Sequence, residues 1–247
     1  MDDLIAKLSK KKKILDSYKP LPPELVKNLE EWFRVELTYT SNAIEGNTLS
    51  RQETAMVIEK GLTVEGKSIQ EHLEATNHSE ALSFLNKLAD KKRSHLKLMD
   101  ILDIHRLILQ KIDNTNAGRM RTVEVRIAGS EVKMPNSLKV PKLMDDFINW
   151  LSGDNRDHSA KVAADAHFKL VSIHPFVDGN GRTARLLMNL LLMQDGYPPA
   201  LIRKEDRRAY INSIEHAQRG GSINDFYKLI YEAVGRSLDI YLEALNV

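Results

Sequence analysis

Apolar residues recur at three- and four-residue spacing along most of this 247-residue chain. Side chains with that spacing share one face of an α-helix, so the pattern predicts a predominantly helical protein. Glycine and proline, which interrupt helices, number only 12 and 8. The length predicts one or two domains at about 150 residues each. Because no flexible linker or internal repeat is visible, we predict a single all-α domain covering residues 1–247.

Local signals predict where the helices begin and end. A helix near 2–18 should end at the proline-rich stretch 19–23, and a second should run to Gly46. A third opens at Ser50 with the spacing of a capping box and stops at Gly61. The remaining helices are predicted near 68–90, 97–112, 140–151, 162–173, 182–195, 204–218 and 223–243.

One segment, residues 121–134, breaks the helical pattern, and we call it the flap. Here Val123, Val125 and Ile127 alternate with polar residues before a turn at Ala128-Gly129-Ser130. Alternation with a period of two on either side of a turn is typical of a β-hairpin. The sequence therefore predicts a hairpin flap on the helical domain.

Composition excludes several classes of function. The 36 positive and 34 negative side chains leave a net charge of +2, which gives no reason to expect a nucleic-acid partner. The absence of cysteine excludes disulfides, cysteine-based metal sites and thiol catalysis. No apolar run approaches the roughly 20 residues that span a bilayer, and the first residues lack the order of a secretory signal. We therefore expect a cytoplasmic protein without a membrane segment.

Residues with chemical potential are concentrated in the non-periodic stretch from His174 to Arg185. The sequence Gly179-Asn180-Gly181 lets the backbone approach a ligand just before a helix, whose first N–H groups lack partners. Arg182 and Arg185 share a face near the positive end of that helix, where each cation is disfavoured by ~0.3–1 kcal/mol. This arrangement predicts binding of an anion such as a di- or triphosphate.

Two further side chains extend this interpretation. Asp178 is the type of ligand that magnesium uses when phosphates supply its other ligands, and His174 could accept a proton from an attacking hydroxyl group. Each residue alone has an ordinary alternative: a core histidine, a turn-forming aspartate, turn glycines, or arginines paired with internal carboxylates. Their occurrence together between 174 and 185 favours a functional site.

The stretch HPFVDGNGRTAR at 174–185 matches the motif HPFx(D/E)GNGRxxR at every fixed position, and the chain resembles the Fic domain family from about Thr40 to Leu242. The resemblance implies a mainly helical fold and transfer of AMP from ATP to a Ser, Thr or Tyr hydroxyl of a target protein or of the chain itself. The intact GNGR portion favours AMP over other transferred groups.

The resemblance also implies a role for each matching position. His174 would be the general base, and Asp178 would bind Mg²⁺ bridging the phosphates of ATP. Arg182 would contact the β-phosphate and Arg185 the γ-phosphate. Tyr210 lies where relatives place a residue against the adenine. The alternative is that Tyr210 is an ordinary aromatic residue of the core. The anion hole would be formed by Gly179, Asn180 and Gly181.

The flap would act as a docking edge for the target. Main-chain groups of an exposed strand can pair with an extended segment of any sequence, presenting its hydroxyl to His174. The alternative is a hairpin that merely covers the core. The residues proposed for docking are Thr122, Val123, Glu124 and Val125.

The end of the second predicted helix resembles the inhibitory motif (S/T)xxxE(G/N) of Fic proteins that carry their own inhibitory helix, with Ser41, Glu45 and Gly46 at its fixed positions. A carboxylate at the negative end of a helix is disfavoured by ~0.3–1 kcal/mol and favours a cationic partner. If that partner is Arg185, ATP would bind with its α-phosphate misaligned. A solvated glutamate is the alternative. A related hypothesis is that Glu45 and His174 position water to remove AMP from a modified target.

This comparison divides the chain into an N-terminal helical region at 1–66, which carries the inhibitory motif, and a Fic core at about 67–245. Residues 74–78 resemble a region near a dimer contact in relatives, which suggests a homodimer. The competing hypothesis is a nucleotide-binding regulatory or toxin-like interaction module in which turnover is incidental.

Overall fold

The computed structural model describes residues 1–153 and 157–247, and its regular structure there is entirely helical, as the apolar spacing predicts. None of the helices in this part of the chain is both long enough and apolar enough to cross a membrane. The described α-helices are α1 (Asp2–Ser17), α2 (Pro23–Ile44), α3 (Arg51–Lys60), α4 (Ile69–Ala89), α5 (Leu98–Leu109), α6 (Val140–Ser152), α7 (Ser159–Ile173), α8 (Asn180–Gln194), α9 (Arg207–Gln218) and α10 (Asn224–Ala244).

The capping signals in the sequence explain several helix ends. The side chains of Ser50 and Ser68 each accept a hydrogen bond from the backbone N–H of the glutamate three residues later, and the side chain of that glutamate accepts one from the serine N–H. Helices α3 and α4 therefore both begin with a capping box. Gly61 ends α3 in the left-handed conformation. Pro22 and Pro23 start α2, where the missing proline N–H costs nothing.

Helix α8 lies at the centre of the fold. It packs along α7 and also contacts α4 and α5, while α1 packs against α10 on the outside. Its residues from 182 to 192 are all buried, which is typical of a helix surrounded by other helices. Because α8 cannot shift without disturbing the core, the first turn of α8 is a rigid platform.

The core is continuous from the N-terminal helix to the C-terminal one. Leu8 and Leu15 of α1 belong to the same buried cluster as Phe176 and Phe226. A smaller apolar cluster, built around Leu49 and Val57, lies beneath α3. The division into an N-terminal region at 1–66 and a core at about 67–245 stays a prediction.

The predicted β-hairpin is wrong: the structure assigns no strand to residues 121–134. Only its turn is present, where the Ser130 N–H donates to the Ile127 carbonyl at 3.1 Å. Alternation favours a strand when one face is buried, yet Val123 is 54% and Ile127 36% exposed. An isolated two-stranded ribbon with no buried face is marginal in water.

Side chains hold the flap instead. The Arg121 guanidinium donates to the Val123 carbonyl at 2.9 Å and to the Pro135 carbonyl at 2.5 Å, which joins the two ends of the segment. At the tip, Ser130 Oγ donates to Glu215 on α9 at 3.0 Å. The flap is therefore an irregular loop fixed at its base and at its tip.

Candidate active site

The site forms where α7 ends and α8 begins. His174 follows α7 in the left-handed conformation, with φ 51°, and its N–H still bonds to the Leu170 carbonyl at 2.9 Å. The chain continues through the next five residues and enters α8 at Asn180. We call residues 174–185 the anion loop, since the open N–H groups at the start of α8 belong to it.

Glycine is required at two positions of the anion loop. Gly179 has φ +76°, and a Cβ there would lie 3.1 Å from Ile108 Cδ1 and 3.3 Å from the His105 ring. A Cβ on Gly181 would lie 2.6 Å from Glu45 Oε1 and 3.1 Å from Arg185 Nη1. The first glycine therefore serves close packing, whereas the second leaves room for a carboxylate above the start of α8.

The Asn180 side chain faces the loop rather than a ligand. Its Oδ1 accepts from the Phe176 N–H and its Nδ2 donates to the Phe176 carbonyl, both at 2.9 Å. The side chain thus closes the loop, and only the backbone of Asn180 is available to an anion. Phe176, which is fully buried, anchors the same turn in the core.

His174 is arranged as a neutral base. Its Nδ1 lies 3.3 Å from the Val171 carbonyl, so Nδ1 carries the proton and Nε2 carries the lone pair. Burial lowers the pKa of His174 below 6.5, and the bond to Val171 offsets part of that shift. At neutral pH the imidazole is therefore ready to accept a proton.

Arg185 is held by the last turns of α2. Its Nε donates to Ser41 Oγ and its Nη2 to the Ser41 carbonyl, both at 3.0 Å. Nη2 also contacts Glu45 Oε1 at 2.7 Å. The structure therefore brings together Ser41, Glu45 and Arg185, and it contains the ion pair that the inhibitory hypothesis requires.

Glu45 sits directly after α2, and Gly46 continues the chain with φ +103°. Burial alone would raise the pKa of Glu45, but the Arg185 guanidinium and, less strongly, those of Arg182 and Arg207 lower it below the ordinary value. Arg207 Nε also donates to the Ile44 carbonyl at 2.6 Å, which satisfies an end group of α2. The carboxylate is therefore ionised and fixed over the first turn of α8.

Arg182 has two acidic neighbours. Its Nη2 contacts Asp178 Oδ2 at 3.0 Å, and its Nη1 lies 3.7 Å from Glu74 Oε1. The Arg182 side chain is 5% exposed and the Asp178 side chain 67% exposed. Asp178 is thus the accessible carboxylate at the mouth of the anion loop.

The donor set fits a magnesium ion that arrives with phosphates. In the described part of the chain, no three His, Asp or Glu side chains cluster as a metal site. Mg²⁺ commonly uses one or two carboxylates together with phosphate oxygens and water. A single carboxylate is enough for such a site, and Asp178 can supply it.

Tyr210 is 3% exposed. Its oxygen lies 3.4 Å from Arg185 Nη1 and 2.7 Å from His167 Nε2. These contacts place Tyr210 beneath Arg185, with its hydroxyl already bonded. Contact between Tyr210 and adenine stays a prediction.

The predicted docking residues lie on the flap. Thr122, Val123 and Glu124 are exposed and Val125 is half-buried. Glu124 is also structural, because its Oε1 accepts from the N–H and the hydroxyl of Ser137 at 2.9 and 3.0 Å. Docking of a target here stays a prediction.

Two residues that contact the anion loop were missed by the sequence reasoning. Arg121 donates from Nε to the His174 carbonyl at 2.8 Å, and its own N–H donates to the Pro175 carbonyl at the same distance. His105, on α5, lies 3.0 Å from the Asp178 carbonyl and stacks on Phe176 at 3.6 Å between ring centroids. No local spacing announces these contacts, because the partners lie 53 and 73 residues apart.

The chain is similar to known proteins of one family. Residues 95–192 match the model of the Fic/DOC family. The chain is 39% identical over 242 residues to "Protein adenylyltransferase Fic" of Culex quinquefasciatus, covering 97% of this chain and 48% of the relative. It is 41% identical over 210 residues to the protein of that name from Drosophila mojavensis, covering 84% of this chain and 41% of the relative. The chain thus spans about half the length of these relatives.

Solved structures agree over nearly the whole chain. Fic-1 (residues 134–508) of C. elegans superposes with a TM-score of 0.88 at 34% identity, covering 97% of this chain and 72% of that one. A Fic domain containing signaling protein from Bacteroides thetaiotaomicron gives 0.86 at 29% identity, covering 98% and 97%. With the matching family model and these relatives, the chain belongs to the Fic/DOC family.

Proposed function

We propose that this chain is an autoinhibited protein adenylyltransferase, which transfers AMP from ATP to a hydroxyl side chain of a protein. The observation that carries the proposal is the Glu45 carboxylate, bound to Arg185 at 2.7 Å above Gly181. It occupies a cradle of cations and helix N–H groups suited to a phosphate. The relatives named protein adenylyltransferase support the same reaction.

In the proposed complex the triphosphate lies along the first turn of α8. Backbone N–H groups of Asn180 and Gly181 face the phosphates, Arg182 neutralises the middle phosphate, and Arg185 neutralises the last. Asp178 would hold Mg²⁺, which neutralises phosphate charge when bound. Because these donors are fixed by α8, they need little rearrangement as charge develops.

His174 starts the transfer. Its Nε2 takes the proton of the target hydroxyl as the oxygen attacks the α-phosphorus. The new bond joins that oxygen to phosphorus, and the bond between the α-phosphorus and the bridging oxygen to the β-phosphate breaks, releasing pyrophosphate. The depressed pKa of His174 keeps its imidazole unprotonated for this step.

Glu45 restrains the reaction by occupying Arg185. While the pair is intact, Arg185 donates to Ser41 and Glu45 rather than to a γ-phosphate. A triphosphate must then displace the carboxylate or bind in a shifted position. The inhibitory helix α2 therefore lowers the transfer rate until Glu45 moves.

The target is proposed to dock on the exposed part of the flap, with the chain itself as an alternative acceptor. A homodimer and a cytoplasmic location belong to the same proposal. The location is based on composition, since a chain without cysteine is compatible with a reducing compartment. Removal of AMP by water is the second candidate activity, because Glu45 and His174 are near enough for the negative charge of Glu45 to raise the pKa of His174.

Incubation with labelled ATP tests the proposal. We expect Glu45→Gly to raise self-labelling or target labelling at least about tenfold over wild type, since Arg185 is freed. In the same background, His174→Ala should abolish labelling, because general base catalysis contributes about 10²–10⁴-fold. Binding of ATP without transfer in every variant would instead support the regulatory module.

The same variants decide the second activity. Modified target should lose AMP more slowly with Glu45→Gly than with wild type if Glu45 positions the attacking water. Equal rates would exclude that role for Glu45.

A further inference from the structure

A fully buried histidine on α5, His105, joins the anion loop to the segment just before the flap. The Gly118 N–H donates to His105 Nδ1 at 2.9 Å, and His105 Nε2 lies 3.0 Å from the Asp178 carbonyl. Since Nδ1 accepts a hydrogen bond, the proton of the neutral ring must be on Nε2, which donates it to Asp178. The two contacts therefore fix one tautomer.

The bond to Asp178 has a consequence for the next peptide group. In a trans peptide the carbonyl and the following N–H point in opposite directions. The Asp178 carbonyl points toward His105, which has no exposed surface, so the Gly179 N–H points away from the core. That direction is opposite to the His105 ring, and the proposed phosphate would lie on that side.

The packing around the ring leaves little freedom. The imidazole is stacked on Phe176 with 5° between the ring planes, and Gly179 approaches it so closely that a Cβ would lie 3.3 Å away. Gly118 is packed equally tightly, since a Cβ there would lie 2.9 Å from Arg106 Cβ. Two glycines, one in each segment, are thus held against the same helix.

We infer that His105 is a positioning residue for AMP transfer: its Nε2–H orients the Asp178–Gly179 peptide so that the Gly179 N–H faces the transferred phosphate, while its Nδ1 fixes Gly118, three residues before the flap. His105 touches neither nucleotide nor target in this role. It acts through Gly179 on the phosphate and through Gly118 on the approach of the target. The inference rests on the proposed function.

The two hydrogen bonds require the neutral ring. Protonation of Nδ1 would place two donors, the ring and the Gly118 N–H, against each other.

The substitution His105→Phe in a Glu45→Gly background separates positioning from packing. Phenylalanine keeps the stacking on Phe176 and removes both hydrogen bonds. We expect kcat to fall about 10- to 100-fold, below the cost of deleting an anion-hole donor outright, with KM for ATP changed much less. Rates are normalised to the sites that bind ATP by calorimetry, so a loss of folded protein does not count.

His158→Phe is the matched control. His158 also uses both ring nitrogens, one accepting from the Ala160 N–H at 3.2 Å and one at 3.1 Å from the Tyr197 hydroxyl, but it lies at the opposite end of α7. We expect its loss to lower the melting temperature without changing kcat. An unchanged normalised kcat in His105→Phe would overturn the inference.

Two further measurements keep the inference testable if His105→Phe does not fold or if the Glu45→Gly variant transfers no AMP. If His105→Phe does not fold, His105→Ala should regain kcat with added imidazole, and absence of that rescue would count against the role. Nitrogen-15 spectra of the wild type should show the His105 proton on Nε2. A proton on Nδ1 would overturn the inference about His105 even if the Glu45→Gly variant transferred no AMP. Absence of AMP transfer by Glu45→Gly would separately refute the proposed function.

Discussion

The anion loop contains His174 and the flap contacts it through Arg121, but the two segments are held in different ways. The anion loop is held by buried groups: Asn180 closes it, Phe176 anchors it and α8 continues from it. The flap is held by side-chain contacts at its base and at its tip, and most residues between these contacts are exposed. A phosphate is the same in every ATP molecule, whereas target proteins differ, so the rigid segment suits the proposed nucleotide and the exposed segment suits the proposed target.

Arg121 is the direct link between these two segments. Its side chain is buried, and its guanidinium bonds to carbonyl groups of His174 in the loop and of Val123 and Pro135 around the flap. If the two segments work independently, cutting this link should affect only stability. If they work together, it should also affect catalysis.

The largest effect is expected from Arg121→Ala in the Glu45→Gly background. Each buried carbonyl left without a partner costs about 1–3 kcal/mol, and His174 loses the bond that fixes its backbone. We expect a lower melting temperature and a fall in kcat of about 10- to 100-fold, measured as AMP transfer per ATP-binding site. The exposed flap residue Arg126 provides the control, because Arg126→Ala removes an equal charge from solvent. Equal kcat values for the two variants would show that loop and flap are uncoupled.

A smaller effect is expected from removing one main-chain donor of the flap. Val123→Pro deletes an N–H that an extended target could use, while the Val123 carbonyl stays available to Arg121. The KM for a protein target should rise about tenfold, with affinity for ATP unchanged. Val123→Ala keeps the N–H and shortens the exposed side chain, so it should behave like its parent. A rise in KM with alanine alone would assign docking to the side chain.

The smallest effect concerns the pH dependence of the anion loop. Burial depresses the pKa of His174, so acid must carry the pH below the ordinary value of 6.5 before the base is protonated. In the Glu45→Gly variant the midpoint of the fall in kcat with acid should therefore lie below pH 6.5. A decline centred above that value would show that His174 is more exposed, or its charged form better stabilised, than the structure indicates.

The contrast between the anion loop and the flap also explains which parts of the structure could be predicted from the sequence. The anion loop was predictable because its turn, its glycines and its helix start are encoded within a few neighbouring residues. The ends of α3 followed from Ser50 and Gly61 for the same reason. The flap was not predictable, because alternation indicates a strand only when one face is buried, and that depends on the rest of the fold.

The contacts that complete the site depend on the fold in the same way. Glu45 and Arg185 are 140 residues apart, and their pairing was anticipated only because two motifs were recognised together. His105 and Arg207 belong to no such motif, yet they brace the anion loop and the end of α2. Asn180 is the opposite case, because it belongs to a recognised motif but its side chain does not have the predicted role. The Asn180 amide closes the loop instead of facing the ligand.

The central claim is that a triphosphate binds where Glu45 now meets Arg185, and calorimetric titration with ATP tests it most directly. Glu45→Gly should bind ATP with one site per chain, and adding Arg185→Ala should weaken that binding about 10- to 100-fold through loss of a charge-assisted contact. Absence of ATP binding by Glu45→Gly, or equal affinities of the single and double variants, would contradict the claim.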